Sequence, residues 1–481
     1  MEGKMMVHVL VVTFAGQGHI NPFLRLAKRL ASKGLLVTFA TLDSMAEKMQ
    51  KAMDNLPIDT PMPVGQGLLR FEFFSDGWSG YGHNLADVRA YMDRFKIVGP
   101  QELTALIDRQ AKADRPVSFV ITNPFLPWAL DVAADAGIKC AVFWVQSCAV
   151  FSIYYHYFHS KAGFTLPIGA EFSAQLPGLP TVSADELPTF LLPSSPLTVL
   201  GETILGQFKN LSKSSCVMVD SFQELERPVI EEMARISPVT PVGPLFLSDD
   251  ESENGNIRGD LWKAEDCVEW LDSHPPSSVV YISFGSMVAL EREQMEEMAR
   301  GLQKSGSRFL WVVKPAANAA ETGLPEGFLE ETEGRGKVVQ WCPQDQVLSH
   351  PSIACFLTHC GWNSSLESLS RGVPIIAFPH WGDQVTNAKF MVEVFKVGVL
   401  LKLSAAADGG TTTTLVSKEE VERCIGVMTK GAEAEEMKKN ALKWKEEARA
   451  AVADGGSSDR NIQAFVDGVN RENIKLSLLT N

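Results

Sequence analysis

Apolar residues along this chain fall into short unbroken runs, and between those runs they recur at helical spacing. The first run, Met5 to Phe14, predicts a buried strand that passes into "AGQGH" and then a helix. Phe23, Leu26, Ala27 and Leu30 mark one face of that helix. Asn21 is expected to cap it, Pro22 to occupy its first turn and Gly34 to end it. Further strands are expected at 35–41 ("LLVTFAT"), 117–122 ("VSFVIT") and 139–145 ("KCAVFWV"). The second half restarts the pattern with "VVYISFGSM" at 279–287 and a helix at 288–305. Strand-like runs follow at 308–314, 336–342, 353–359 and 373–379. Continuous apolar strands separated by helices imply parallel sheets covered on both faces. The expected class is therefore α/β, with two Rossmann-like domains facing across a cleft between the carboxyl ends of their sheets, where open α/β sheets bind ligands.

Between the halves lies "LSDDESENGNIRGD", acidic, turn-rich and with almost nothing to bury. It divides the chain into an N-terminal domain over 1–246, a linker over 247–260 and a C-terminal domain over 261–455. Residues 403–414 read as a loose surface loop and 434–453 as a helix. A last helix, within 456–481, carries Ile462, Phe465, Val466 and Val469 on one face and is expected to pack back on the N-terminal domain.

Composition narrows the function. Acids outnumber bases 58 to 44, for a formal charge of −14, and no dense Lys/Arg cluster exists. Nucleic acid and anionic membranes are thus poor partners, and an anionic small ligand would need a locally positive site. The eight cysteines are scattered without a C-x-x-C pair, as expected of reduced thiols in the cytoplasm. The longest charge-free apolar stretch, residues 140–155, is too short to span a membrane. A soluble monomer is expected.

The most informative stretch is "THCGWNSSLESLSRGVP" at 358–374, a strand end, a tight loop and a short helix starting at Asn363 and stopping at Gly372. Free backbone N–H groups at such a helix start, with the helix dipole behind them, suit an anion. A bland reading competes: Ser364-x-x-Glu367 matches a capping box and could explain both residues. It does not explain a Trp on the same turn or a second one at 341.

From Trp341 through Gln384 the chain reads "WCPQDQVLSHPSIACFLTHCGWNSSLESLSRGVPIIAFPHWGDQ". This resembles, nearly position for position, the signature box of plant UDP-glycosyltransferases, inverting enzymes of the two-domain GT-B arrangement. The resemblance continues through "GQGHINP", "SFGS" and "GGSSDRN". It implies that Trp341 stacks on uracil, the backbone of Cys342 pairs with the base edge, Gln344 reaches the ribose region and Glu367 accepts the ribose hydroxyls. It further implies that His359, Asn363, Ser364 and Ser286 hold the diphosphate, while Trp362, Asp383 and Gln384 bind the sugar. Gln384 points to glucose, so UDP-glucose is the implied donor. No motif asks for a metal, and His156 with His159 reads as aromatic packing.

His19, at the carboxyl end of the first strand, is the implied base for the acceptor; an unperturbed imidazole near pKa 6.5 suits that task. Most family members hold this ring with an Asp. Here the aligned residue is Asn123, which is expected to accept a hydrogen bond from the ring without stabilising an imidazolium, and Asp131 is too distant to substitute. A phenol must lose its proton to react, whereas a carboxylic acid is already ionised at pH 7. The segment from Asn123 to Tyr157 is also similar to the branch forming glucose esters of aromatic and indolic acids. A glucose ester is accordingly the expected product, with a phenolic glucoside as the alternative and a non-catalytic nucleotide-sugar binder as a remote one. The acceptor pocket is expected to draw on Gln17, His19, Phe125, Gln146 and Gly382. A nicotinamide dehydrogenase is disfavoured, because Asn21 stands where Gly16-x-Gly18 would need a third glycine.

Overall fold

The computed structural model describes residues 6–52, 60–78, 85–161, 163–164, 168–195, 197–247, 265, 267–314, 323–408 and 411–479. Apart from residue 247, the expected linker lies outside them. Contacts divide the chain into two compact units, Met1–Leu261 with Arg449–Asn481 and Trp262–Ala448.

The first unit is built on β1 (His8–Val12), β2 (Leu36–Leu42), β3 (Met62–Val64), β4 (Gly67–Phe74), β5 (Phe119–Thr122), β6 (Lys139–Trp144) and four shorter strands. Of those four, β7 (Ser173–Gln175) and β8 (Thr181–Ser183) form a separate antiparallel pair, while β9 (Val217–Val219) and β10 (Val239–Pro241) extend the main sheet. The order β10-β9-β6-β5-β1-β2-β4-β3 is parallel except for the edge strand β3. It reverses direction of growth at β1, the doubly wound pattern whose crevice opens beside the first strand. Every residue of β1 and β2 is buried, which is why both read as unbroken apolar runs.

The helix after β1 runs Gln17–Ser32 and starts a turn earlier than its sequence suggests. Gly16, at φ 122, ends the loop, and its carbonyl accepts from the N–H groups of both His19 and Ile20. Asn21 and Pro22 therefore sit inside the helix, and Asn21 Oδ1 accepts from Gln17 Nε2 at 3.0 Å rather than capping. The consequence is that His19 belongs to the first helical turn. The C-terminal helix, Ser457–Leu479, buries Ile462, Val466 and Val469 in the same apolar cluster as β1 and its neighbours. Phe465 meets Phe119 edge-on, and Asp459 takes Arg29 at 3.0 Å and Lys33 at 2.8 Å.

The second unit holds β11 (Val279–Ser283), β12 (Arg308–Val312), β13 (Gly336–Val339), β14 (Ile353–Thr358), β15 (Ile375–Ala377) and β16 (Gly398–Leu400). They form a parallel sheet in the order β13-β12-β11-β14-β15-β16, again doubly wound. The helix after β11 begins at Arg292, with Glu291 before it, so residues 288–290 belong to the connection rather than the helix. Within the span expected as a loose loop, Ser404–Asp408 and Thr411–Leu415 instead pair antiparallel.

Candidate functional site

In the first unit the implied acceptor residues collect at the carboxyl ends of adjacent strands. Thr13 and Phe14 follow β1, Asn123 follows β5, and Gln146 follows β6. Asn123 is fully packed, 1 % exposed, and its side chain is held at both ends. Its Oδ1 accepts from the Phe125 backbone N–H at 2.9 Å. A backbone N–H can only donate, so the opposite face of the amide is Nδ2. That nitrogen lies 3.0 Å from His19 Nδ1 and 3.4 Å from Thr13 Oγ1. Asn123 therefore donates to the ring, where the sequence reading had it accepting. Asp131 is engaged elsewhere, with Lys213 at 2.6 Å and Asn210 at 3.0 Å.

His19 is half-buried between Phe14 and Phe125, whose rings stand edge-on to it at 5.7 and 5.0 Å. Desolvation by this surround lowers its pKa to about 4, so the imidazole is neutral at pH 7. Phe14 stacks on Phe125 at 5.8 Å and meets Tyr91 and Phe95, giving an aromatic wall that sequence reading identified only at Phe125. Gln146 Oε1 is buried with no hydrogen-bond partner among the described residues. Gln17 is buried and tied to Asn21. Gly382 is in the second unit, at φ 68 in the turn before Gln384.

In the second unit the signature residues converge at the carboxyl ends of β11 to β15. The helix after β14 starts at Trp362 rather than Asn363, with Gly361 before it and no side-chain cap, and Gly372 ends it at φ 72. The capping box is not formed. Ser364 Oγ and Glu367 Oε2 instead accept from Gln344 Nε2 at 3.0 and 2.7 Å, and Gln344 Oε1 accepts from Tyr281 at 3.1 Å. Tyr281 also lies 3.3 Å from the buried Cys342 Sγ, so the Cys342 side chain faces inward. Trp362 is 3 % exposed.

His359 is wedged between two glycines. A Cβ on Gly285 would stand 2.6 Å from His359 Cε1, and one on Gly361 would stand 2.5 Å from Nε2. Gly285 adopts φ 71, which a side chain would strain as well. Ser286, half-buried, follows on the same turn. Burial first, then the charges of His380 and Lys314, lower the His359 pKa to about 3, and burial lowers that of His380 to about 4. His359 Nδ1 and His380 Nε2 are buried without partners among the described residues. Gln384 Oε1 accepts from the N–H groups of His380 and Trp381 at 2.9 and 3.2 Å, which orients its amide nitrogen away from that loop. Asp383 Oδ2 accepts from Asn387 at 2.6 Å. Sequence reading missed Tyr281, Lys314 and His380; Tyr281 lies in the middle of β11, the other two follow apolar strands, and none is marked by spacing alone. Among the described residues no three His, Cys, Asp or Glu side chains gather as a metal site requires.

Comparisons with known proteins bear on the family and the fold. Residues 260–417 match the family described as UDP-glucoronosyl and UDP-glucosyl transferase. The chain is 51% identical over 481 residues to gallate 1-beta-glucosyltransferase 84A24 of Punica granatum, covering 99% of this chain and 91% of that protein. It is 49% identical over 483 residues to the cinnamate beta-D-glucosyltransferase of Fragaria ananassa, covering 99% and 85%. A crystal structure of Os79 from O. sativa in complex with UDP superposes with a TM-score of 0.84 at 32% identity, covering 96% of this chain and 100% of that one. With two doubly wound units, the signature residues gathered at one sheet's carboxyl edge and full-length relatives at about half identity, the chain belongs to the UDP-glucosyltransferase family of the GT-B fold class.

Proposed function

We propose that the protein transfers glucose from UDP-glucose to the carboxylate of a small aromatic acid, giving a 1-O-β-glucose ester with inversion at the anomeric carbon. The first unit would bind the acceptor and the second the nucleotide sugar. One observation carries the acceptor class: Asn123 donates to His19 Nδ1. A neutral imidazole whose Nδ1 accepts must carry its proton on Nε2. In that form Nε2–H is a donor, suited to orient a carboxylate oxygen and unable to take a proton from a phenol. An ionised acid asks for nothing more. Its oxygen forms the bond to the anomeric carbon as the bond to UDP breaks, UDP leaves with the electron pair, and no proton changes hands. The aromatic wall of Phe14, Phe125 and Tyr91 supplies a flat apolar surface for the acid's ring.

On the donor side Trp341, the Cys342 backbone, Gln344 and Glu367 would hold uridine. His359, Asn363, Ser364 and Ser286 would hold the diphosphate, and Asp383 and the Gln384 amide nitrogen the glucose. Hydrogen-bond donors fixed in advance, rather than a metal, would stabilise the departing UDP. The two gallate and cinnamate relatives bear names of acid glucosyltransferases, which supports the same reading. Eight unpaired cysteines suit a reducing compartment, and we place the enzyme in the cytosol. The test is a competition of benzoate or cinnamate against a matched phenol with UDP-glucose below pH 7. An alkali-labile ester is expected to dominate; an alkali-stable glucoside as the main product would refute the acceptor class.

A further inference from the structure

Lys314 stands just beyond the carboxyl end of β12, half-buried, with its ammonium donating to the Gly285 carbonyl. It also lies over the Trp341 ring, 5.7 Å from the centroid. Gly285 is the glycine against which His359 packs, so one amine touches the turn that carries Ser286, the ring next to the base site and the neighbourhood of His359. Among the described residues no carboxylate pairs with it. A desolvated ammonium satisfied by one carbonyl and a ring face is costly unless an anion completes it. The rest of the cluster argues for the same missing partner. His359 and His380 are neutral, and each has a buried ring nitrogen without a partner among the described residues. The chain's net charge is −14, so positive potential for an anionic ligand has to be concentrated locally.

We propose that Lys314, a residue outside the Trp341–Gln384 signature, is the counter-charge for the diphosphate of the nucleotide sugar and fixes the Gly285 turn around it. Burial lowers its pKa to about 8, which leaves most of the amine charged at pH 7 and is consistent with that task. The inference rests on the donor assignment made above.

Binding of UDP, UMP and uridine to the full-length protein, by calorimetry at pH 7, tests it with Lys314→Met and Lys314→Arg. A charge-assisted contact of this kind predicts that Lys314→Met weakens UDP by roughly 10- to 100-fold, UMP by less and uridine by under about 3-fold. Lys314→Arg should keep UDP affinity within about 10-fold, since the charge remains though the geometry changes. A rise in KM for UDP-glucose without an equal fall in kcat should accompany the loss. Equal weakening of uridine and UDP would mean that the lysine only supports the fold of the turn, and would overturn the proposal. So would unchanged UDP affinity in Lys314→Met. If the unaltered protein itself failed to bind UDP, the donor assignment would fall first and this inference with it.

Discussion

Replacing Asn123 by Asp tests the acceptor chemistry at its centre. The carboxylate would keep one oxygen on the Phe125 N–H and place the other, with its charge, 3.0 Å from His19 Nδ1. At an effective dielectric of 20 such a pair is worth about 5 kcal/mol. The incoming carboxylate would occupy a position only 1 % exposed, so desolvation offsets a large part of that. A net shift of about 2 units is the middle of the range for neighbouring opposite charges. It would carry the ring from about 4 toward 6, with the proton moved to Nδ1 and a lone pair exposed at Nε2. The imidazole then becomes a general base near neutrality, and kcat/KM for a phenol is expected to rise by roughly 10- to 100-fold. The carboxylate acceptor loses its Nε2–H donor, and its kcat/KM is expected to fall by about 10-fold. Matched phenol and benzoate, measured from pH 6 to 9, give the ratio directly, and nitrogen-15 NMR of the His19 ring reports the tautomer. If the variant leaves the ratio of the two acceptors unchanged, or if the unaltered ring already carries its proton on Nδ1, the reasoning is wrong.

Other consequences follow from the packing. Gly361→Ala introduces no backbone strain at φ −59 but sets a methyl 2.5 Å from His359 Nε2; displacing the ring should weaken UDP by roughly 10- to 100-fold in a binding assay. Gly285→Ala adds left-handed strain to the same clash and should lower the melting temperature as well. His8, 1 % exposed, donates from Nδ1 to the Arg115 carbonyl at 2.8 Å and accepts at Nε2 from the Thr38 hydroxyl at 2.7 Å; burial lowers its pKa to about 4. At pH 7 the ring is neutral folded and unfolded alike. Below about 6.5 only the unfolded chain takes up the proton, so stability falls as pH drops toward 4, by about 2 kcal/mol at pH 5 from this residue. Urea unfolding of His8→Gln should show a shallower loss between pH 7 and 5; parallel curves would refute the assignment.

How far the sequence reaches can be judged strand by strand. β1, β2, β5, β6, β11, β12 and β14 were legible because they are buried on both faces and so are mainly apolar. β4 was missed because Arg70 and Glu72 break its apolar run, and β9, β10 and β16 because, unlike the three residues of β15, theirs do not lie in an apolar run set off by prolines. The site behaved likewise. The signature box named the donor class through its resemblance to the family. Identity did not settle orientation. Ser364 and Glu367 fit a capping pattern on paper, yet Gln344 reaches them from the start of the helix Gln344–Ser349 and takes both.

What the sequence determined by itself was the fold class, the family and the list of side chains available, because burial pattern and chemical type are local properties of the chain. The tertiary structure alone decided which way each polar group faces. Asn123 donates to His19 because a backbone N–H, two residues on, claims its oxygen. Lys314 enters the donor cluster because β12 ends beside β11, bringing it to a carbonyl at position 285. A hydrogen bond has a direction, and that direction is set by partners distant along the chain.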